Sequence, residues 1–186
     1  MDVNTCEDIF KLYYQDLYGY GLKLCGKPEL VKGVIQDLFA TILERKTNLT
    51  HVNSIKAYLL ASLRRRILKR LKKIRYEGEI IESLRYQPAI YFNIEEIIIK
   101  DELEEERKKK INSAINKLSD REKEVIYLRF YNGMSYEEIE DILSINYQSA
   151  RNYVYRALKN LRTLLDKDYV KVMSAVFIGL ILRLPI

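Results

Sequence analysis

Cysteine and histidine are almost absent from this chain of 186 residues: Cys6 and Cys25 have no CxxC spacing, and His51 stands alone. That excludes a disulfide framework and a Cys/His metal centre, and leaves these three residues structural or incidental. No cofactor is implied, and a reducing cytoplasm is the compartment such usage fits. Glycine and proline are scarce too, with seven and three residues. Little turn material is therefore available, and the long stretches of Leu, Ile, Lys, Arg and Glu favour helix. The expected fold class is all-α. The opening residues, MDVNTCEDIF, have neither a basic start nor an apolar run, so no secretory signal is expected. Residues 172–182 are apolar but for Ser174 and Gly179, about half of the ~20 residues that a bilayer span needs. This tail is expected to pack within the chain or dock a partner, with no stable membrane insertion. No paired carboxylates, metal ligands or activated nucleophile form a recognisable constellation, so no catalytic residue is assigned and an enzyme is not expected.

What the chain has in quantity is charge, 31% of residues against 48% hydrophobic, with a net charge of +6. The hydrophobic share can fill one moderate core or two small ones, and two compact units are expected. Positive charge is concentrated early. Residues 1–76 carry 15 Lys/Arg against 7 Asp/Glu, whereas residues 77–102 carry 2 against 7. The densest stretch, from Arg64 through Arg75, holds eight basic residues in twelve. That density is the footprint of a polyanion binder, although a solvated basic helix face would carry the same pattern.

Three amphipathic helices are expected in the first part of the chain. Residues 7–25 place Ile9, Leu12, Tyr13, Leu17, Tyr20 and Leu24 at three- and four-residue steps, and Gly26-Lys27-Pro28 breaks the run. Residues 29–45 carry a broad apolar face, with Gln36, Asp37, Thr41 and Glu44 looking outward. The polar loop 46–53 follows, with Asn53 or Ser54 as N-cap of a helix over 55–76. In that helix Leu59, Leu60, Leu63, Ile67, Leu71 and Ile74 are expected to face the first two helices, with the arginines and lysines on the remaining surface. Residues 77–102 lose the periodicity, change sign of charge and contain Gly78 and Pro88, which reads as an interdomain linker. Helix is expected again over 94–118.

The second unit, residues 103–168, has sharper punctuation. Ser119-Asp120-Arg121-Glu122 and Ser135-Tyr136-Glu137-Glu138 both fit the S-x-x-E capping box. The first opens a helix over 120–131 that stops at Asn132-Gly133. The second opens a helix of about two turns, 136–143, and Ser144-Ile145-Asn146 separates it from a longer helix over 147–165. A short helix, a tight turn and a longer helix make a helix-turn-helix. Its second helix enters the major groove, so polar and cationic side chains should line its outward face. Ala150, Val154 and Leu158 are expected to point inward with Ile139, Leu143 and Ile145. Gln148, Ser149, Arg151, Asn152, Tyr155, Arg156 and Lys159 are then left for DNA. The helix start at Tyr136 and Glu137 offers backbone amides to a phosphate.

The run LSDREKEVIYLRFYNGMSYEEIEDILSINYQSARNYVYRALKNLR, residues 118–162, resembles region four of bacterial extracytoplasmic-function sigma factors. Upstream, LYYQDLYGYGLKLCGKPELVKGVIQDLFATILERK and SIKAYLLASLRRRILKRLKK resemble region two of the same subgroup, in the same order. Two departures stand out: Glu140 takes the place of a usual small residue, and Ser144 replaces the usual turn glycine.

The resemblance implies a factor that binds core RNA polymerase and directs promoter recognition, DNA melting and transcription initiation. It implies polymerase docking at Gln36, Asp37, Thr41 and Glu44. It implies capture of a flipped minus-ten base in the loop bearing Asn48, Thr50 and Asn53. Lys56, Tyr58, Ser62, Arg65, Arg66 and Lys69 would hold the melted strand, with Tyr58 open to a core role instead. Arg151, Asn152, Tyr155 and Arg156 match the minus-thirty-five readers. An anti-sigma protein or another DNA-bound recruiting factor is a further expected partner. The alternative is a free-standing helix-turn-helix regulator that binds operators as a dimer, for which only the apolar tail, 169–186, could supply the dimer contact.

Overall fold

The computed structural model describes residues 6–45, 49, 52–78 and 105–165. All regular structure among them is helical: α1 Cys6–Cys25, α2 Pro28–Glu44, α3 Ile55–Gly78, α4 Glu105–Asn116, α5 Asp120–Ile126 with a π-turn Tyr127–Tyr131, α6 Tyr136–Leu143 and α7 Tyr147–Leu164. Most of the proposed linker and the whole apolar tail lie outside the described residues. Contacts divide the chain into two units, the first built on α1, α2 and α3, the second on α4, α5, α7 and the opening of α6.

In the first unit the breaks have local causes. Gly26 takes φ +60, and its amide bonds the Leu22 carbonyl at 2.8 Å. Only glycine adopts that left-handed end without cost, and Pro28 then starts α2 with its ring preset to helical φ. Ser54 caps α3, its hydroxyl accepting from the Ala57 amide at 3.2 Å. The core joins Leu17, Tyr20 and Leu24 of α1 to Val31, Ile35 and Leu38 of α2 and to Leu59, Leu60, Leu63 and Ile67 of α3. Leu12, Leu43 and Ile74 are exposed at 55%, 61% and 46%, so the buried stripe of each helix is narrower than its apolar one. Arg64 is buried, against the expectation that all basic residues of α3 lie on the surface.

In the second unit both capping boxes form. The Ser119 amide donates to Glu122 Oε2 at 2.9 Å, and the Ser135 amide donates to Glu138 Oε2 at 2.7 Å. Asn160 Nδ2 of α7 reaches the other oxygen of Glu122 at 3.1 Å, which ties α5's start to the long helix. The helix expected over 120–131 is not uniform. Its last turn widens into the π-turn, and the Asn132 amide bonds the Tyr127 carbonyl five residues back. Gly133 then turns the chain at φ +72.

Ser144 settles the missing turn glycine: it adopts φ 53, ψ 51, the left-handed conformation the turn demands. Asn146 follows as N-cap of α7, its side chain accepting from the Ser149 amide at 2.7 Å. The tight turn thus survives without glycine, at a conformational cost of about 1–2 kcal/mol. Ala150, Val154, Ile139 and Leu143 are buried as expected, whereas Leu158 and Ile145 are only half-buried and Ala157 and Leu161 complete the inner face of α7.

Candidate nucleic-acid interface

Between α6 and α7 charge separates by helix. Glu137, Glu138, Glu140 and Asp141 make α6 acidic, and Arg151, Arg156, Lys159 and Arg162 make α7 cationic with no acidic residue. A polyanion is therefore drawn to α7. On its outer face Gln148, Arg151, Asn152, Tyr155, Arg156 and Lys159 are exposed, and Ser149 is half-buried. Tyr155 is 67% exposed. Ser149, Asn152, Tyr153, Tyr155 and Arg156 line a shallow depression of about 360 Å³. Gln148 Nε2 donates to Asn152 Oδ1 at 3.2 Å, so the amide pair lies along one side of this face.

Both arginines rest on tyrosines of the same helix. The Arg156 guanidinium carbon lies 4.7 Å from the Tyr153 ring centroid, and that of Arg151 lies 5.9 Å from Tyr147. The spacings, three and four residues, are those that bring helical side chains together. Neither tyrosine was among the residues expected at the site, although that spacing was present to be read.

The start of α6 is already occupied. The Glu138 amide donates to the Ser135 hydroxyl at 3.2 Å. Glu137 accepts from its own amide and then from the Ser135 hydroxyl, which holds its carboxyl below the usual glutamate range. The Glu137 amide expected to face a phosphate is thus engaged by its own carboxylate, which must swing aside before an anion can take its place.

In the first unit Gln36, Asp37 and Glu44 are exposed and Thr41 is half-buried. The Thr41 hydroxyl bonds back to the Asp37 carbonyl at 2.7 Å. Asp37 itself accepts from Arg70 of α3 at 2.6 Å, a partner that sequence reading missed because it lies 33 residues away. Beside this ion pair, Val34, Asp37, Arg66, Lys69, Arg70 and Lys73 line a groove of about 280 Å³ between α2 and α3.

Of the residues expected to hold a melted strand, Arg65 and Lys69 are exposed and Arg66 and Tyr58 half-buried. Arg65 leans on its own helix, Nε donating to the Ala61 carbonyl at 3.3 Å and Nη2 to Ser62 Oγ at 3.4 Å. Ser62 is buried, with 9% exposure, and Lys56 pairs with Asp16 of α1 at 2.8 Å. Asn53 is exposed, whereas Asn48 and Thr50 lie outside the described residues.

Burial pushes the Cys6 and Cys25 thiols up from their ordinary value, which keeps them protonated and weakly nucleophilic at neutral pH. Among the described residues no cluster of three potential metal ligands occurs, and no helix is long and apolar enough to cross a membrane.

A two-turn helix, a left-handed turn and a longer helix with a cationic outer face define a DNA-binding protein of the helix-turn-helix class. Residues 108–161 match the family model described as Sigma-70, region 4. Two curated proteins of Bacillus subtilis (strain 168) align with most of the chain. RNA polymerase sigma factor YlaC is 23% identical over 167 residues, covering 89% of this chain and 94% of its own. ECF RNA polymerase sigma factor SigM is 21% identical over 167 residues, covering 88% and 96%. Among solved structures, the sigma factor RpoE of Bartonella quintana, crystallised with the anti-sigma factor NepR, shares the fold at a TM-score of 0.59 and 24% identity, covering 87% of this chain and 97% of its own. Residues 108–161 thus match a sigma-70 region 4, and the chain as a whole is similar to RNA polymerase sigma factors, one of them of the extracytoplasmic-function group.

Proposed function

We propose that this sigma factor divides its work between its two units, acting by binding alone and without a bond-making step of its own. Residues 1–76 dock on core RNA polymerase through Gln36, Asp37, Thr41 and Glu44. They capture and hold the melted minus-ten strand with Asn48, Thr50, Asn53, Lys56, Tyr58, Ser62, Arg65, Arg66 and Lys69. Residues 103–168 read the minus-thirty-five element with Gln148, Ser149, Arg151, Asn152, Tyr155, Arg156 and Lys159. Residues 77–102 join the two, and 169–186 form a tail. Work with polymerase and promoter DNA sets the site of action in the cytoplasm.

The observation that carries this reading is the outer face of α7, which gathers two arginines, a lysine, amides and an open tyrosine and holds no acidic group. Such a face suits base edges and phosphates together. A dimeric operator-binding regulator is disfavoured because the alignments with sigma factors run through both units and not through the helix-turn-helix alone. RpoE was crystallised with an anti-sigma protein, and by likeness an anti-sigma partner is proposed here as well.

The test is transcription in vitro with core polymerase and this chain on fragmented genomic DNA, with the 5′ ends of the transcripts sequenced. A shared pair of motifs upstream of those ends is expected. Transcripts identical to those of core enzyme alone would reject the proposal.

A further inference from the structure

Arg129, Tyr136, Tyr147 and Arg151 form one chain of contacts across three elements of the second unit. Arg129, in the π-turn, is anchored by donating to the Met134 carbonyl at 2.8 Å, and its guanidinium carbon lies 4.9 Å from the Tyr136 ring centroid. Tyr136, the first residue of α6, meets Tyr147, the first residue of α7, edge to face, with centroids 5.8 Å apart and planes at 73°. Tyr147 in turn carries the Arg151 guanidinium at 5.9 Å. Each contact is the favourable one for its pair: a cation over a ring face, or the positive edge of one ring against the negative face of another.

The anchored end is Arg129, and the open end is Arg151, which is exposed on the DNA-facing side of α7. A free arginine side chain samples many rotamers, and that freedom is lost when the guanidinium binds a base edge. A ring held by a second ring and a tethered cation restricts those rotamers before DNA arrives. The π-turn contributes because it widens the end of α5, where Arg129 leaves the backbone.

We propose that Tyr147 is a positioning residue for promoter reading, holding Arg151 on its ring face while Tyr136 and Arg129 brace it. This rests on the assignment of α7 as the minus-thirty-five reader. Tyr147 touches no base in this scheme; it acts through Arg151. A tyrosine-to-phenylalanine change keeps the ring face and therefore keeps the function, whereas an aliphatic residue of similar size loses it.

The experiment is a promoter-library selection with core polymerase and full-length Arg151→Ala, Tyr147→Leu, Tyr147→Phe and Tyr136→Leu, with helix content checked by circular dichroism. Arg151→Ala should relax preference at one base pair. Tyr147→Leu should relax preference at that same base pair by about two- to five-fold, the ratio expected for loss of an exposed cation–π contact. Tyr147→Phe should restore it, and Tyr136→Leu should give a smaller relaxation at the same position. If Arg151→Ala relaxes the base pair and Tyr147→Leu does not, positioning is refuted while the reading role of α7 stands. A uniform loss across the library in Tyr147→Leu, or a Tyr147→Phe variant as relaxed as Tyr147→Leu, also refutes it. No change in Arg151→Ala overturns the reading of α7 and the positioning with it.

Discussion

Alanine at two glycines of the first unit should have opposite effects, and the difference measures how closely its helices approach. A Cβ at Gly21 of α1 would sit 2.5 Å from Val31 Cγ1, 3.2 Å from Val31 Cγ2 and 3.3 Å from Ile67 Cδ1. Val31 and Ile67 are each 0% exposed. Valine cannot rotate away cheaply because both of its methyls branch from Cβ, so α2 itself must shift. Overpacking of that kind costs about 1–3 kcal/mol, offset by a gain of about 1 kcal/mol from replacing a helical glycine with alanine. Gly21→Ala should therefore destabilise by about 0–2 kcal/mol.

At Gly33 of α2 a Cβ meets nothing within 4 Å. Gly33→Ala should keep the helical gain alone and stabilise by about 1 kcal/mol. Urea denaturation followed by circular dichroism gives both values, provided the dependence on denaturant is the same in each variant. Equal stabilities for the two variants would refute the close approach of α1 to α2 at Gly21.

Three further outcomes are expected. Ser144→Gly should raise stability by about 1 kcal/mol, since glycine adopts the left-handed turn without the Cβ penalty; a lower melting temperature would contradict the strain assigned to that residue. Arg156→Ala should cost about 1–3 kcal/mol at one base pair and relax preference there, whereas Lys159→Ala should weaken all promoters alike and flatten the salt dependence; a library selection with these assignments exchanged would mean the helix register is wrong. Charge reversal at Asp37 and Glu44 should weaken the pull-down of core polymerase, and Arg70→Ala is the control for loss of the exposed ion pair, worth at most about 1 kcal/mol; undiminished retention of the double reversal would reject the docking surface.

The sequence by itself determined several helix starts and stops, because those signals act within about four residues. Both S-x-x-E boxes, the Gly26–Pro28 break and the stop at Gly133 stand where they were read. The outward face of α7 was legible for the same reason, since its inward and outward positions follow from a fixed helical period. Tertiary structure decided how much of each apolar stripe is covered. Leu12, Leu43 and Ile74 fit the period as well as their buried neighbours do, and only the placement of the facing helices leaves them in solvent.

It also decided which distant residues meet. Arg70 reaches Asp37 across two helices, and Tyr136 meets Tyr147 across a turn held open by a left-handed serine. The π-turn that places Arg129 carries no local signature that distinguishes YLRFY from ordinary helix. Local bonding within a few residues is written in the chain in order, whereas pairing between elements depends on their distance and angle, which exist only once the core has packed.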